Sequence, residues 1–480
     1  MEKKNKLWRH SGHCRFFALL LSTLFFSPMT SATTGYFAVG YGPKSTGMAG
    51  TVVAAPQDAM IASVNPAGMG LVGERVDFSL RLFSPIREAE LDTTAVGARF
   101  RINNESGRDF FVIPNFGITK QINNKVWAGL TVYANGGMNT TYDVNLYDQT
   151  AAVLGAFATG GSAATASVPS GTTTGTPDTG TLGVDLAQLI IAPTLTFQIH
   201  QKHTLGLSLL LGVQRFEAYG LGNFQCFTPT GSGNNPSACA PGGAGALTPG
   251  FVPSKNLTNN GHDWSYGFGI KVGWIGQIHP RLTLGFAAAS KIYMTEFDEY
   301  SELFAGKGDF DIPGNLTVGV AFHASPDLTL AFDYQRIFYS GVDSVGNAGP
   351  VPTPLGPGLP PGLSLLGLEN GIGFGWKDIS VYRIGMKYDW NPGWTIRAGY
   401  SYNDSPIPDD QILFNILAPA VNKHHLTFGF TYTPSEHSEW TFAYIHAFDE
   451  TQRTPRSAFG IPASIGMYQN SIELEYSHRF

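Results

Sequence analysis

Large apolar residues alternate with small or polar ones along most of the chain, most clearly in Leu426-Thr427-Phe428-Gly429-Phe430-Thr431-Tyr432. A period of two marks a β-strand whose faces meet different surroundings. The pattern recurs over 76–83, 110–119, 126–135, 186–199, 205–213, 264–272, 282–290, 316–322, 328–334, 382–388, 394–402, 440–448 and 472–480, so fourteen strands are predicted. In 316–322, Leu316, Val318, Val320 and Phe322 face one way, and Thr317, Gly319, Ala321 and then His323 face the other. The connections alternate too. Short turns at Asn123-Asn124, 200–203, 279–281, 325–327, 391–393 and 434–437 are separated by longer stretches at roughly 87–107, 142–185, 220–262, 299–312, 341–375, 404–421 and 450–467.

An even number of antiparallel strands, with short turns at one end and long loops at the other, is the plan of a bacterial outer-membrane barrel. The expected fold class is therefore all-β, a closed 14-stranded antiparallel transmembrane barrel with both chain ends on the short-turn side. Composition agrees. Only 14% of residues are charged, against about 25% in soluble domains. Gly is abundant at 58 of 480, and aromatics reach 12%. Trp264, Tyr388, Trp390, Trp394, Tyr400, Tyr432, Trp440 and Tyr444 fall near strand ends, as interfacial girdles require. A soluble β-sandwich would leave the low charge and the outward aromatics unexplained. Beyond residue 32 no uncharged apolar run reaches the length of a membrane helix.

Residues 1–32 read as a secretory signal: Lys3, Lys4, Lys6, Arg9 and Arg15, then the apolar run 16–26, then Thr30-Ser31-Ala32. The formal charge of −6 becomes −10 without this segment, which carries five basic residues and one acidic. No basic face is present to neutralise phosphates, so nucleic acid is excluded as a partner. Cys226 and Cys239 remain after export, thirteen apart in a Gly/Pro/Asn-rich stretch. In an oxidising compartment they are expected to pair and staple that loop. No catalytic constellation, metal-ligand spacing or cofactor motif is found, and Gly42-Pro43-Lys44-Ser45 lacks the glycine a phosphate loop needs before its lysine.

Residues 33–74 are Gly-rich and apolar without alternation, and a barrel of this width can hold them in its lumen. The opening Gly35-Tyr36-Phe37, the Gly-rich run to Gly50, Gln57-Asp58-Ala59, Asn65-Pro66-Ala67-Gly68 and Leu82-Phe83-Ser84-Pro85 resemble the FadL family of outer-membrane long-chain fatty-acid and hydrocarbon transporters. The resemblance spans the mature chain in plan and is sharpest over 33–85. It implies three segments: signal peptide 1–32, N-terminal hatch 33–74 and barrel 75–480. It also implies that Gly35, Tyr36, Phe37 and the motif Asn65-Pro66-Ala67 belong to the hatch, and that a kink in the third strand opens the wall sideways. Asn135-Gly136-Gly137 interrupts that strand, where the glycines either permit a bulge or simply end it. Ile472, Leu474, Tyr476, His478 and Phe480 resemble the C-terminal signature read by the barrel-insertion machinery, with His478 departing from the usual apolar residue.

Parity turns Arg81, Lys271, Arg383, Lys387 and Arg397 inward, together with Asp77, Asp333, Asp389, Glu473 and Glu475. A Lys or Arg facing lipid at midplane would cost about 2–4 kcal/mol. These charges either pair and fix the hatch, or one or two of them meet a ligand carboxylate, Lys271 and Arg383 being the candidates. The leucine-rich stretch 348–368 either lines a groove for an apolar ligand or packs on neighbouring loops. The expected function is passive transport of a hydrophobic small molecule, a fatty acid or hydrocarbon, across the outer membrane, with lateral exit into its lipid. A diffusion porin for small polar solutes is the alternative, and an adhesin or purely structural barrel is a third reading.

Overall fold

The computed structural model describes residues 33–96, 101–150, 180–239, 250–353 and 356–480. The signal segment, most of the loop 151–181 and Leu355 lie outside them. Fourteen long strands form the wall: β1 Arg75–Leu91, β2 Phe111–Asn123, β3 Val126–Tyr142, β4 Leu182–His200, β5 His203–Tyr219, β6 Asp263–His279, β7 Leu282–Ala289, β8 Asn315–His323, β9 Leu328–Ile337, β10 Ile379–Asn391, β11 Trp394–Asn403, β12 His424–Ser435, β13 Ser438–Thr454 and β14 Ala463–Arg479. Each pairs antiparallel with the next, and β14 closes on β1 from Ala463 against Leu91 to Arg479 against Arg75.

Parity decides what each face meets. Leu205, Leu207, Leu209 and Leu211 on β5 and Tyr266, Phe268, Ile270 and Val272 on β6 are exposed, as lipid-facing residues must be, while Ser208 and Lys271 point inward and are buried. The strands outrun the alternation that revealed them. β1 continues to Leu91, β13 to Thr454, and β14 begins at Ala463, where loops had been expected from 87 and across 450–467. A 17-residue strand is about 56 Å long at roughly 3.3 Å per residue, far more than a tilted strand needs to cross an apolar band about 25 Å tall. Beyond the band the ladder persists, but the outward positions no longer need apolar residues. Glu88 and Glu90 occupy them on β1.

Residues 33–74 fill the lumen through short turns: a two-rung hairpin of Thr33–Thr34 with Phe37–Ala38, a single helical turn at Pro43–Thr46, and 3-10 turns at Ala59–Ser63 and Pro66–Leu71. The wall makes room with glycine. A Cβ on Gly206 would lie 2.2 Å from Ala67 N, one on Gly285 2.2 Å from Val53 O, and one on Gly399 2.4 Å from the Met48 carbonyl carbon. Much of the glycine excess thus permits backbone-to-backbone approach between wall and contents.

Charges then tie the contents down. Arg81 Nη2 donates to Glu473 (2.8 Å), to Thr46 Oγ1 (2.6 Å) and to Gly40 O (2.7 Å). Arg75 bridges Asp77 (2.7 Å) and Glu439 (2.9 Å), and Lys44 reaches Glu439 and Glu475. Backbone groups of the segment are satisfied by wall carboxylates: Ala59 N donates to Asp77 (2.7 Å) and Val53 N to Asp333 (3.0 Å). Lys387 and Asp389 pair at 2.7 Å at the half-exposed short-turn end.

Removing one partner of a buried, hydrogen-bonded pair leaves an uncompensated charge. Glu473→Ala, which strands Arg81, is expected to cost about 3–5 kcal/mol. Urea unfolding in lipid vesicles, followed by tryptophan fluorescence, measures this as a fall in midpoint.

Candidate functional site

The wall is not uniform. β2 and β3 pair only from Asn123 against Val126 to Phe116 against Val132, and the rest of β2, Phe111 to Asn115, pairs with β1 alone. β3 continues along β4 with a bulge between Ala134 and Gly136, which takes Asn135 out of register. Residues 131–140 are buried without a break, where a lipid-facing strand would alternate. The outer half of β3 has therefore left the wall line, opening a gap beside β2. Above it the chain re-engages, with Gly107 N donating to Thr141 O (2.8 Å) and Thr141 N to Ser106 Oγ (2.9 Å).

The N-terminal segment is fitted to this gap. Phe37 pairs with Gly136, where a Cβ would fall 1.8 Å from Tyr36 O. Only glycine permits that approach. Tyr41 Oη donates to Asn135 Oδ1 (3.3 Å), Asn135 Nδ2 to Gln188 (2.9 Å), Gln188 Nε2 to Gln214 (2.9 Å) and Gln214 Nε2 to Phe310 O (2.8 Å). A chain of side-chain amides thus runs from the N-terminal segment through the bulge to an outer loop.

Two apolar cavities flank this arrangement. The outer one is lined mainly by carbon: Phe216, Phe224, Phe304, Leu366, Phe374 and Phe414 among others. The inner one lies beside the gap between Tyr36, Phe83, Met138, Met467 and Arg87. A short helix, Ile412–Asn415, and the residues after it divide them, Phe414 and Leu417 facing the outer cavity and Ala418 to Ala420 the inner. This divider hangs from hydrogen bonds: Tyr147 Oη to Leu413 O (2.7 Å), Tyr142 Oη to Ile416 O (2.9 Å) and Thr140 Oγ1 to Leu417 O (2.8 Å). Around it runs a file of rings. Phe216 lies 4.7 Å from Phe304, Phe304 4.8 Å from Phe310, and Phe310 6.4 Å from Tyr36, with Trp376 5.6 Å from Tyr36.

The residues singled out from sequence fall as follows. Gly35 and Tyr36 line the inner cavity, as does Gly137, and Phe37 meets Gly136 at the bulge. Asn65 caps a 3-10 turn through its Oδ1 and Ala67 N (3.1 Å), while its Nδ2 donates to Val53 O (2.8 Å) and Trp274 O on β6 (3.2 Å). Thr196 of β4 donates to Pro66 O (2.5 Å). Lys271 is buried with its ammonium on Ser63 O and 6.0 Å from the Tyr133 ring, and Arg383 donates to Gln335 (2.8 Å). Neither lines either apolar cavity. Cys226 and Cys239 are bonded, Cα atoms 5.3 Å apart. Of the leucine-rich stretch, Leu366 lines the outer cavity, Leu363 packs against the same cluster, and Leu359 and Leu368 are exposed.

Trp376, Tyr339 and Phe310 escaped the sequence reading because they lie in connections, where alternation carries no information, and Arg87 because the first strand was expected to end before it. A signal was present in the crowding of Tyr300, Phe304 and Phe310 into one supposed loop.

Fold and site together define an outer-membrane transport barrel occupied by its own N-terminal segment. The family model for outer membrane protein transport protein (OMPP1/FadL/TodX) matches residues 156–466. The chain belongs to this family, which is made of transport channels, and it resides in the bacterial outer membrane. Among solved structures, the P. putida toluene transporter TodX is similar over 92% of this chain and 99% of its own, with 20% identity and a TM-score of 0.60. The Ralstonia pickettii toluene transporter TbuX is similar over 92% and 99%, with 21% identity and a TM-score of 0.58. A Pseudomonas aeruginosa FadL homologue is similar over 93% and 100%, with 15% identity and a TM-score of 0.62. A search of curated proteins finds no match.

Gly136→Val places a branched side chain against Tyr36 O and is expected to cut hydrophobic uptake about tenfold through loss of the close approach. Uptake of labelled oleate, read beside heat-modifiable migration on a gel, checks it; full uptake with normal migration would refute the role of the gap.

Proposed function

We propose that this chain carries hydrophobic compounds passively inward, taking them at the outer cavity, passing them beside the N-terminal hatch at Tyr36 and releasing them laterally through the gap between β2 and β3. The observation that carries this reading is the gap itself, a wall break adjoining an apolar cavity. The file of rings between the cavities supports the route, since each step exchanges one apolar contact for another and needs no energy source. Residues 33–74 act as the hatch in this reading. Asn65-Pro66-Ala67 anchors one end on β4 and β6, and Gly35-Tyr36-Phe37 forms the movable end at the gap.

The related toluene transporters favour a hydrocarbon, and the resemblance to fatty-acid transporters favours an acid. Both are apolar over most of their length, as the cavity linings are. A porin for polar solutes is disfavoured, because the lumen is crossed by the hatch and tied to the wall by ion pairs. Outer-membrane lipid receives the cargo, and the insertion machinery is the expected partner during assembly.

In cells lacking their own transporter, this protein is expected to confer uptake of labelled oleate, of labelled hexadecane or of both. Phe414→Asp, which buries a charge in the outer cavity, should lower that uptake at least about tenfold. Absence of any uptake by a correctly inserted wild-type barrel would refute hydrophobic transport. Deleting residues 33–50 should open conductance to small ions in planar bilayers, and unchanged conductance would refute the hatch.

A further inference from the structure

Cys226 and Cys239, thirteen residues apart, close a covalent ring of chain in the connection after β5, and this ring touches three walls of the outer cavity. Two residues before Cys226, Phe224 lines the cavity, its ring 4.7 Å from Phe414 and 5.0 Å from Tyr147. Directly after it, Phe227 O accepts Leu366 N (2.8 Å), and Leu366 is a second wall. Within the ring, Thr230 N donates to Glu302 Oε1 (2.9 Å), beside Leu303 and Phe304, which form the third. The ring thus gathers the connections after β5, β7 and β9 around one cavity.

Little besides the disulfide gives this ring its shape. Its turns, Gly222–Phe227 and Pro229–Asn234, have six residues each, well below the roughly 12–15 that hold an isolated helix in water. Between the cysteines the buried residues are Thr228, Gly231, Asn235 and Ala238, so the ring has almost no apolar core of its own. Its remaining ties to its own connection are polar: Ser254 N donates to Gln225 Oε1 (2.6 Å), and Asn235 exchanges two bonds of 2.8 Å with Val252. Both cysteines are half-buried on the outer-loop side, within reach of the external medium.

We infer that Cys226–Cys239 is a redox-modification site that governs the outer cavity, and that reduction by an external dithiol weakens capture of hydrophobic cargo. A thiolate of the dithiol attacks one cysteine sulfur, the S–S bond breaks, and the other sulfur leaves as a thiolate that takes up a proton. The second thiol of the reagent then resolves the mixed disulfide. Two protein thiols and one oxidised, cyclic reagent result, with two electrons and two protons passed to the protein. Opening the ring returns loop entropy to residues 226–239, and the positions of Phe224 and Leu366 must then be fixed at the moment of binding, which lowers affinity. This inference rests on the transport reading above and adds its regulation.

The test measures half-saturating concentrations for uptake of labelled oleate and labelled hexadecane by cells expressing wild type, with and without dithiothreitol, and the double variant Cys226→Ser, Cys239→Ser. Heat-modifiable migration shows in each case that the barrel is folded, and maleimide labelling counts the free thiols. In wild type, dithiothreitol is expected to raise the half-saturating concentration about tenfold, and reoxidation to restore it. The double variant should start at the reduced value and not respond to dithiothreitol. Unchanged half-saturation in cells whose two thiols label would overturn the assignment, as would a response that persists in the double variant. If the double variant fails to fold, the wild-type comparison decides alone. Uptake of neither cargo by untreated wild type would refute the transport reading, and binding of labelled oleate to the purified barrel, with and without dithiothreitol, then decides the redox site: equal binding overturns it.

Discussion

Hydrocarbon offers no hydrogen bonds, so a chain that crosses it must pair every backbone N–H and C=O with itself. The fourteen-strand ladder, closed between β14 and β1, satisfies that demand around the whole wall except where β3 bends away from β2. The exception is held by other means. Phe37 supplies a strand rung to Gly136, Ser106 and Gly107 bond the top of β3, and Arg87 donates across the gap to Asn139 O. The break is partnered by the N-terminal segment rather than by another wall strand.

That dependence explains how the lumen is furnished. Wall glycines such as Gly206, Gly285 and Gly399 bring the N-terminal backbone into contact with the barrel. Ion pairs on Arg75, Arg81, Lys44, Glu439 and Glu473 then hold it at the short-turn end. At the gap the segment is held by one strand rung, aromatic packing and the Tyr41–Asn135 bond, and its first residues bond Gln469, His425 and Tyr339.

The outer loops do more than cover the barrel. They place a helical turn, Ile412–Asn415, between two apolar cavities and suspend it from Tyr142, Tyr147 and Thr140. The rings that surround it come from four separate connections and from the N-terminal segment, so the apolar path exists only in the assembled barrel.

The chain by itself determined the barrel. Alternation counts strands because each must present one face to lipid and one to the lumen, and the alternation of short and long connections orients them. The same parity was enough to turn Arg81 and Glu473 inward. The motifs around Tyr36 and Asn65 marked the N-terminal segment as separate from the wall. Tertiary structure alone decided which inward charges are spent and which are free. Lys271 and Arg383 were the candidates along the chain, but a side chain's availability depends on partners far away in sequence, such as Ser63 for Lys271. It also decided the gap, because Asn135-Gly136-Gly137 reads equally as a bulge or a strand end until β2 is seen to leave β3 unpaired beyond Val132. Local sequence records the solvent each residue must face; which distant groups satisfy it is settled only when the barrel closes.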